Sequence, residues 1–188
     1  MIAQSKGRSM KRNFNVLLVD SHPADATKIK TFLEQNAEPS FQVWHHSTCE
    51  KAVNFFKEKS TKIDVIILDL FIDDARNPKE IYEFMQRSAG NTPIIAVTSQ
   101  AAHSLAREVV GEGAAGIIVR ERFRVLPNRL IDSIEFSIIR NKLLSELKEK
   151  NAEEAWQHKR ILHWMTGGYS VESETGPVVE SAESKKGR

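Results

Sequence analysis

Four short apolar runs punctuate the chain: Val16-Leu17-Leu18-Val19, Val65-Ile66-Ile67-Leu68, Ile94-Ile95-Ala96-Val97 and Ile117-Ile118-Val119. They are continuous and largely β-branched instead of alternating. That is the pattern of strands covered on both faces, as in a parallel sheet between helical layers. A further strand over Phe41–His45 alternates less cleanly and is expected nearer a sheet edge. Between the strands, apolar residues recur at helical spacing: Ile29, Phe32 and Leu33; Ala52, Val53, Phe55 and Phe56; Ile81, Phe84 and Met85; Leu105, Val109 and Val110. Each set presents one stripe to a sheet.

Helix starts are legible as well. Asn77-Pro78-Lys79-Glu80 offers a capping side chain, a proline at the first helical position and a glutamate at the third. Pro127 is placed to open the last helix in the same way. The order is strand then helix, five times over between about residues 14 and 140. Right-handed crossovers turn that order into an α/β doubly wound parallel sheet of three layers.

Beyond Pro127 no Gly or Pro interrupts the helical pattern until Gly167, longer than one layer of such a domain needs, so the last helix is expected to extend past the core. Leu144, Leu147, Asn151, Glu154, His158, Ile161 and Met165 follow a three-four spacing in which only four of the seven are apolar. This fits a weak coiled coil and equally a solvated helix carrying Glu and Lys pairs. The expected layout is a flexible arm over 1–13, a folded domain over 14–140, an extended helix with coiled-coil capacity over 141–166 and a disordered tail over 167–188.

Composition narrows the function classes. The chain has 188 residues, 40% hydrophobic and 28% charged, with no 18-residue apolar run and therefore no expected membrane span. A single cysteine, Cys49, forbids an internal disulfide. No secretory signal is visible at the N-terminus, which makes the cytoplasm the expected compartment. The net charge of +2 is uneven: residues 1–12 carry +4, residues 13–137 carry −3, residues 138–165 carry +2 and residues 166–188 carry −1. With the folded part mildly acidic and Trp44, Trp156 and Trp164 widely spaced, no nucleic-acid surface is expected. The six histidines give no converging pair, since His45 and His46 point to opposite strand faces and His158 and His163 stand five apart on a helix.

In an open parallel sheet the carboxyl ends of the strands form the crevice where ligands bind. There stand Asp20, Asp69, Thr98-Ser99 and Arg120. Two carboxylates suit a hard divalent cation, and a hydroxyl with a cation suits a phosphoryl group. In this light Leu17-Leu18-Val19-Asp20, Val65 to Leu70, Pro93 to Thr98 and Gly113-Ala114-Ala115-Gly116 resemble the receiver domains of response regulators, over roughly residues 14–140. The resemblance implies a flavodoxin-like (βα)5 fold in which Asp69 accepts a phosphoryl group from a histidine kinase. It further implies Mg²⁺ held by Asp20, Asp69 and the Phe71 backbone carbonyl, with Thr98 and a strand-five cation meeting the phosphoryl oxygens.

The departures from that pattern are specific. Ser21 stands where the family carries a second acid, Arg120 replaces its lysine, Glu121 the proline that follows it, and Ile117 its switching aromatic. Asp73 and Asn77 stand where proline and glycine are frequent. Arginine keeps the charge, but its planar fork is not a compact ammonium. The expectation is an atypical receiver that signals through protein contacts rather than catalysis, with Mg²⁺ binding and Asp69 phosphorylation weakened or absent. The alternative is a fully functional phosphoacceptor in which Asp73 or Asp74 supplies the missing acid. A flavodoxin-like ligand-binding domain is disfavoured because Ser21-His22-Pro23-Ala24 is no glycine-rich phosphate loop. The implied partners are a histidine kinase or a downstream effector. A second copy is also implied, through the face of the fourth helix, fifth strand and fifth helix or through the extended helix.

Overall fold

A computed structural model of the chain describes residues 12–58, 62–72, 77–99, 103–123 and 125–165. Five strands form one sheet: β1 (Asn13–Val19), β2 (Ser40–His46), β3 (Val65–Asp69), β4 (Ile94–Thr98) and β5 (Gly116–Val119). The helices are α1 (Pro23–Glu34), α2 (Cys49–Glu58), α3 (Pro78–Ala89), α4 (His103–Gly111), the single turn α5 (Arg120–Phe123) and α6 (Asn128–Met165). The strand order is β2-β1-β3-β4-β5 and every pairing is parallel. This is the flavodoxin-like doubly wound fold, with β2 at an edge as its weaker alternation suggests.

Side-chain alternation along the strands sorts the core into two layers. Val16, Leu18, Val65, Ile67, Ile95 and Val97 face Ala26, Ile29 and Leu33 of α1 and Leu130 and Ile134 of α6. Leu17, Val19, Ile66, Leu68 and Ala96 face Ala52 and Val53 of α2, Ile81 and Met85 of α3, and Val109 of α4. All residues of β3 and β4 are buried, which explains their unbroken apolar character. Asn77 caps α3 as its sequence predicts, its Oδ1 accepting the Glu80 N–H at 2.9 Å while its Nδ2 donates to the Glu80 carboxylate.

Three readings are corrected. Val110, placed on the buried stripe of α4, is 43% exposed, while its neighbour Val109 is the one of the two turned inward. Tyr82, absent from the α3 stripe, is buried, and its hydroxyl lies under the turn at Gly113, where a Cβ would sit 3.7 Å from it. Gly113 has φ +108°, a conformation that disfavours any L side chain. The fifth crossover also gains an element: a one-turn helix, α5, stands between β5 and the last helix, which begins directly after Pro127 as its sequence predicts.

The chain divides into two compact units, residues 1–145 and 146–188. Within the first, α6 buries Leu130 and Ile134 and leaves Phe136, Ile139, Leu143 and Leu144 exposed. Within the second, residues 146–161 are exposed throughout, and the Arg160 guanidinium stacks 4.5 Å from the Trp156 ring centre. Among the described residues, no helix is long and apolar enough to cross a membrane.

The packing of α6 predicts a contrast. Ile134→Ala leaves a void against fully buried β1 and β3 side chains and is expected to cost about 2–5 kcal/mol in urea unfolding. Phe136→Ala, two residues on and 64% exposed, is expected to change stability by less than about 0.5 kcal/mol.

Candidate functional site

Three strand ends deliver the side chains. Asp20 follows β1, Asp69 ends β3 and Arg120 follows β5, so the parallel register brings all three to the carboxyl rim of the sheet. The ladder continues into the rim, since the Asp20 N–H donates to the His46 carbonyl at 3.1 Å and the Leu70 N–H to the Val97 carbonyl at 3.1 Å. Asp20 and Asp69 are each 1% exposed. Two carboxylates so deep in protein demand partners.

The partner is Arg120. Its Nη1 lies 3.2 Å from Asp20 Oδ2 and 2.8 Å from Asp25 Oδ2, and its Nη2 lies 2.7 Å from Asp69 Oδ2. The contact with Asp69 is an ion pair by distance, but Asp69 Oδ2 receives no directed hydrogen bond. The guanidinium plane aims its N–H groups better at Asp20 and Asp25. The remaining oxygens are held by the backbone: Asp20 Oδ1 accepts the His22 N–H at 2.8 Å and Asp69 Oδ1 the Phe71 N–H at 3.1 Å. His45 Nε2 is 2.9 Å from the Asp20 carbonyl.

An apolar cavity of about 320 Å³ backs the guanidinium, walled by Ile29, Phe32, Ile118, Phe123 and Leu130. It exists because α5 is a single turn and does not fill the groove beside α1. With hydrocarbon on one side, the charges are poorly solvated and their mutual attraction is strengthened. Burial pushes the Asp20 carboxyl above its ordinary value, against the lowering effects of the His22 N–H and Arg120. Asp25 goes the other way, held low chiefly by its hydrogen bond to Arg120. Burial disfavours the charge on Arg120, yet the carboxylates of Asp25, Asp69 and Asp20 outweigh it and hold the guanidinium firmly protonated.

Of the residues singled out in the sequence, Asp20, Asp69 and Arg120 therefore meet. Thr98 is fully buried at the end of β4, and its hydroxyl donates to the Ser99 carbonyl at 3.3 Å. Phe71 lies in the turn directly after β3 and binds Asp69 through its N–H. Ser21 Oγ approaches His22 Nδ1 at 3.4 Å. Asp73 and Asp74, the acids considered as replacements for the one missing at Ser21, lie outside the described residues.

Two members of the site escaped sequence reading. Asp25 stands in the first turn of α1, where an acid is ordinarily a helix-dipole partner, and nothing in one sequence says that Arg120 lies across from it. His22 Nδ1 lies 3.5 Å from Asp20 Oδ1 and 3.6 Å from Asp69 Oδ2. Asp20, His22 and Asp69 each turn one ligand atom into a group whose members lie within 4.8 Å of one another. Nothing local to His22 in the sequence marks it as a neighbour of Asp69, 47 residues on.

With this geometry in hand, comparison with known proteins is decisive. The family model of the response regulator receiver domain matches residues 16–134. The chain belongs to that family. Among solved structures it is similar to an adenylate cyclase from Rhodopirellula baltica, at 19% identity over 74% of this chain and 98% of that one, with a TM-score of 0.59. A receiver domain protein from Clostridium thermocellum follows at 21% identity, 70% and 98% coverage and a TM-score of 0.55. A CheY-like receiver domain protein from Methanospirillum hungatei gives 19% identity, 69% and 96% coverage and 0.57. At such identities these likenesses speak for the fold. No curated protein matches the sequence.

Receiver domains bind Mg²⁺ through acidic residues, and among the described residues Asp20 and Asp69 are two buried acids at this rim. Mg²⁺ takes a shell of oxygens. Here the Oδ2 atoms of both aspartates face a guanidinium, and among the described His, Cys, Asp and Glu side chains the third donor of the group is the His22 imidazole.

Removing Arg120 should expose what it holds. Arg120→Ala leaves three carboxylates facing one another, and we expect a loss of about 3–5 kcal/mol at neutral pH by urea unfolding. The pH dependence of Asp25 has a definite sign. Its folded pKa lies below the ordinary 3.8, so its contribution is present above that value and disappears as the pH falls through the lowered one. Asp25→Asn is therefore expected to be less stable than wild type at neutral pH, with the deficit closing in acid. A deficit independent of pH would contradict this.

Proposed function

We propose that this receiver domain acts in two-component signalling through protein contacts and keeps Arg120 as a built-in cation at rest, so that Mg²⁺-dependent phosphorylation of Asp69 is weak or absent. The observation that carries this reading is the 2.7 Å contact between Arg120 Nη2 and Asp69 Oδ2. For Asp69 to accept a phosphoryl group, a carboxylate oxygen must attack phosphorus while the donor's leaving group departs. Mg²⁺ in such a site neutralises the charge of the phosphoryl oxygens. Asp69 Oδ1 is engaged by the Phe71 N–H and Asp69 Oδ2 lies against the guanidinium. Arg120 must move before donor and ion can both approach.

Charge supports the same reading. An acid at position 21 would add a negative oxygen for a divalent ion, and Ser21 supplies none. Arg120 spans Asp20, Asp25 and Asp69 at once, which the single ammonium of a lysine cannot do through a planar fork.

Receiver domains work by meeting histidine kinases and effectors, and the surface here offers a place for such contact. Phe136, Ile139 and Leu143 form one exposed apolar stripe at helical spacing on the part of α6 that belongs to the first unit. We place the partner surface, including self-association, on this stripe. A cytoplasmic setting fits a chain whose single cysteine, Cys49, is buried in the core.

The test is chemical. Incubated with acetyl phosphate and Mg²⁺, the full chain should show far less than one acid-labile phosphate per molecule by intact mass. Ser21→Asp combined with Arg120→Lys should raise the labelling about tenfold, since it restores an oxygen ligand and a compact cation together. Stoichiometric labelling of the wild-type chain at Asp69 would instead establish a working phosphoacceptor.

A further inference from the structure

A void of about 320 Å³ among apolar side chains is unusual, since folded interiors pack as densely as organic crystals and keep few gaps larger than a water molecule. We propose that this cavity, beside α1, β5 and α5, binds a small aromatic molecule of about two fused rings that carries no negative charge and donates one N–H to Asp25. The inference does not depend on whether Asp69 is phosphorylated. It concerns the α1 side of the sheet, not the crevice between Asp20 and Asp69.

Size and shape come first. Ile67 and Val97 of the sheet form the floor, and Leu130 of α6 adds a buried wall. Phe32, Ile118 and Phe123 are only half-buried, so the lining presents apolar surface to an incoming molecule. Phe32 and Phe123 stand edge to face, with ring centres 5.5 Å apart and planes at 82°. A flat ring laid against that pair extends a favoured aromatic arrangement. An apolar cavity of about 150 Å³ accepts one benzene ring, and roughly twice that space suits a bicyclic one. The volume lies at the lower end of the range of about 300–1,000 Å³ usual for ligand sites, which leaves out the larger cofactors.

Charge then selects the polar end. The polar residues of the lining are joined to one another: Arg120 Nη1 lies 2.8 Å from Asp25 Oδ2, and Lys28 Nζ lies 3.2 Å from Asp25 Oδ1. Arg120 also serves Asp20 and Asp69. Three carboxylates thus stand against two cations, and an anionic ligand would add to the excess. Asp25 is the acceptor of the lining, and Arg120 keeps its carboxyl ionised at neutral pH. The Lys28 side chain is 57% exposed, and an ion pair so open to water is weak, so a ligand N–H can take its place on Asp25 Oδ1. The same exposure gives the ligand its way in. Once inside, it touches Ile118 and Phe123, which flank Arg120 in the chain, and so bears on the stretch that seats the guanidinium. A ligand that fits the resting arrangement best shifts the domain toward it.

Indole is the probe, and indole-3-carboxylate its anionic counterpart of similar size. Calorimetric titration of the full chain is expected to show one indole per chain with a dissociation constant of about 10–100 µM, ordinary for a ligand of so few atoms. Indole-3-carboxylate should bind at least about tenfold more weakly, and Asp25→Asn should narrow that difference. Ile118→Phe and Ile29→Phe fill the cavity from β5 and from α1, and each should weaken indole at least about tenfold, with circular dichroism checking the fold. Ile161→Ala, at an exposed apolar position on α6, should change nothing. Nuclear Overhauser contacts from indole to the methyl groups of Ile29 and Ile118 locate the ligand in the wild-type chain without recourse to a variant. A dissociation constant above about 1 mM, equal affinity for the carboxylate, absence of those contacts at saturation, or binding that survives both filling variants would each overturn the site.

Discussion

One guanidinium shared among three carboxylates is the interaction on which the rest of this molecule depends. Asp20 and Asp69 are each 1% exposed, and in that setting a carboxylate without a counter-charge is costly. The sheet creates the problem, because parallel strands in register end on the same rim and bring two acids together. The β5–α5 junction solves it by placing Arg120 where its fork reaches Asp20, Asp25 and Asp69 at 2.7–3.2 Å. The break between α5 and α6 belongs to the same arrangement. It leaves a largely apolar cavity behind the guanidinium, so hydrocarbon lies on one side of the ion pairs.

Much of the architecture was legible from the chain alone, and for a physical reason. A strand buried on both faces has to be apolar at every position, so β3, β4 and the second half of β1 announce themselves without any partner being known. The capping group at Asn77 is local too, all of its contacts lying within three residues. What was not legible is what depends on distance across the fold. Asp25 and Arg120 are 95 residues apart, and a first-turn acid looks alike whether it serves a helix dipole or a buried cation. His22 reads as part of a loop until β3 brings Asp69 beside it. Val110 and Tyr82 changed sides because a helical stripe is broad enough to be read one residue out of phase.

The resemblance to receiver domains supplied the positions of the rim residues, and the structure then changed their meaning. On its own, an arginine in place of a lysine is a change of shape. Placed 2.7 Å from Asp69 Oδ2, it is a cation seated on the very oxygen that the proposed function concerns. The same holds for Ser21, whose lack of a carboxylate matters because Asp20 is partnered by the guanidinium and by the His22 N–H. Family membership fixes the fold and the broad role, while the local chemistry at four or five side chains decides how the rim behaves.

A counter-ion tethered to the backbone differs in kind from one drawn from the medium. Diffusible magnesium occupies a pocket according to its concentration and leaves when that falls, whereas Arg120 is held beside its acids by covalent linkage at a fixed and high effective concentration. The electrostatic balance at the sheet's rim is consequently insulated from swings in the ionic composition of the surroundings. Whatever sets this domain's state must act by a local event strong enough to displace a side chain, not by the general abundance of a salt.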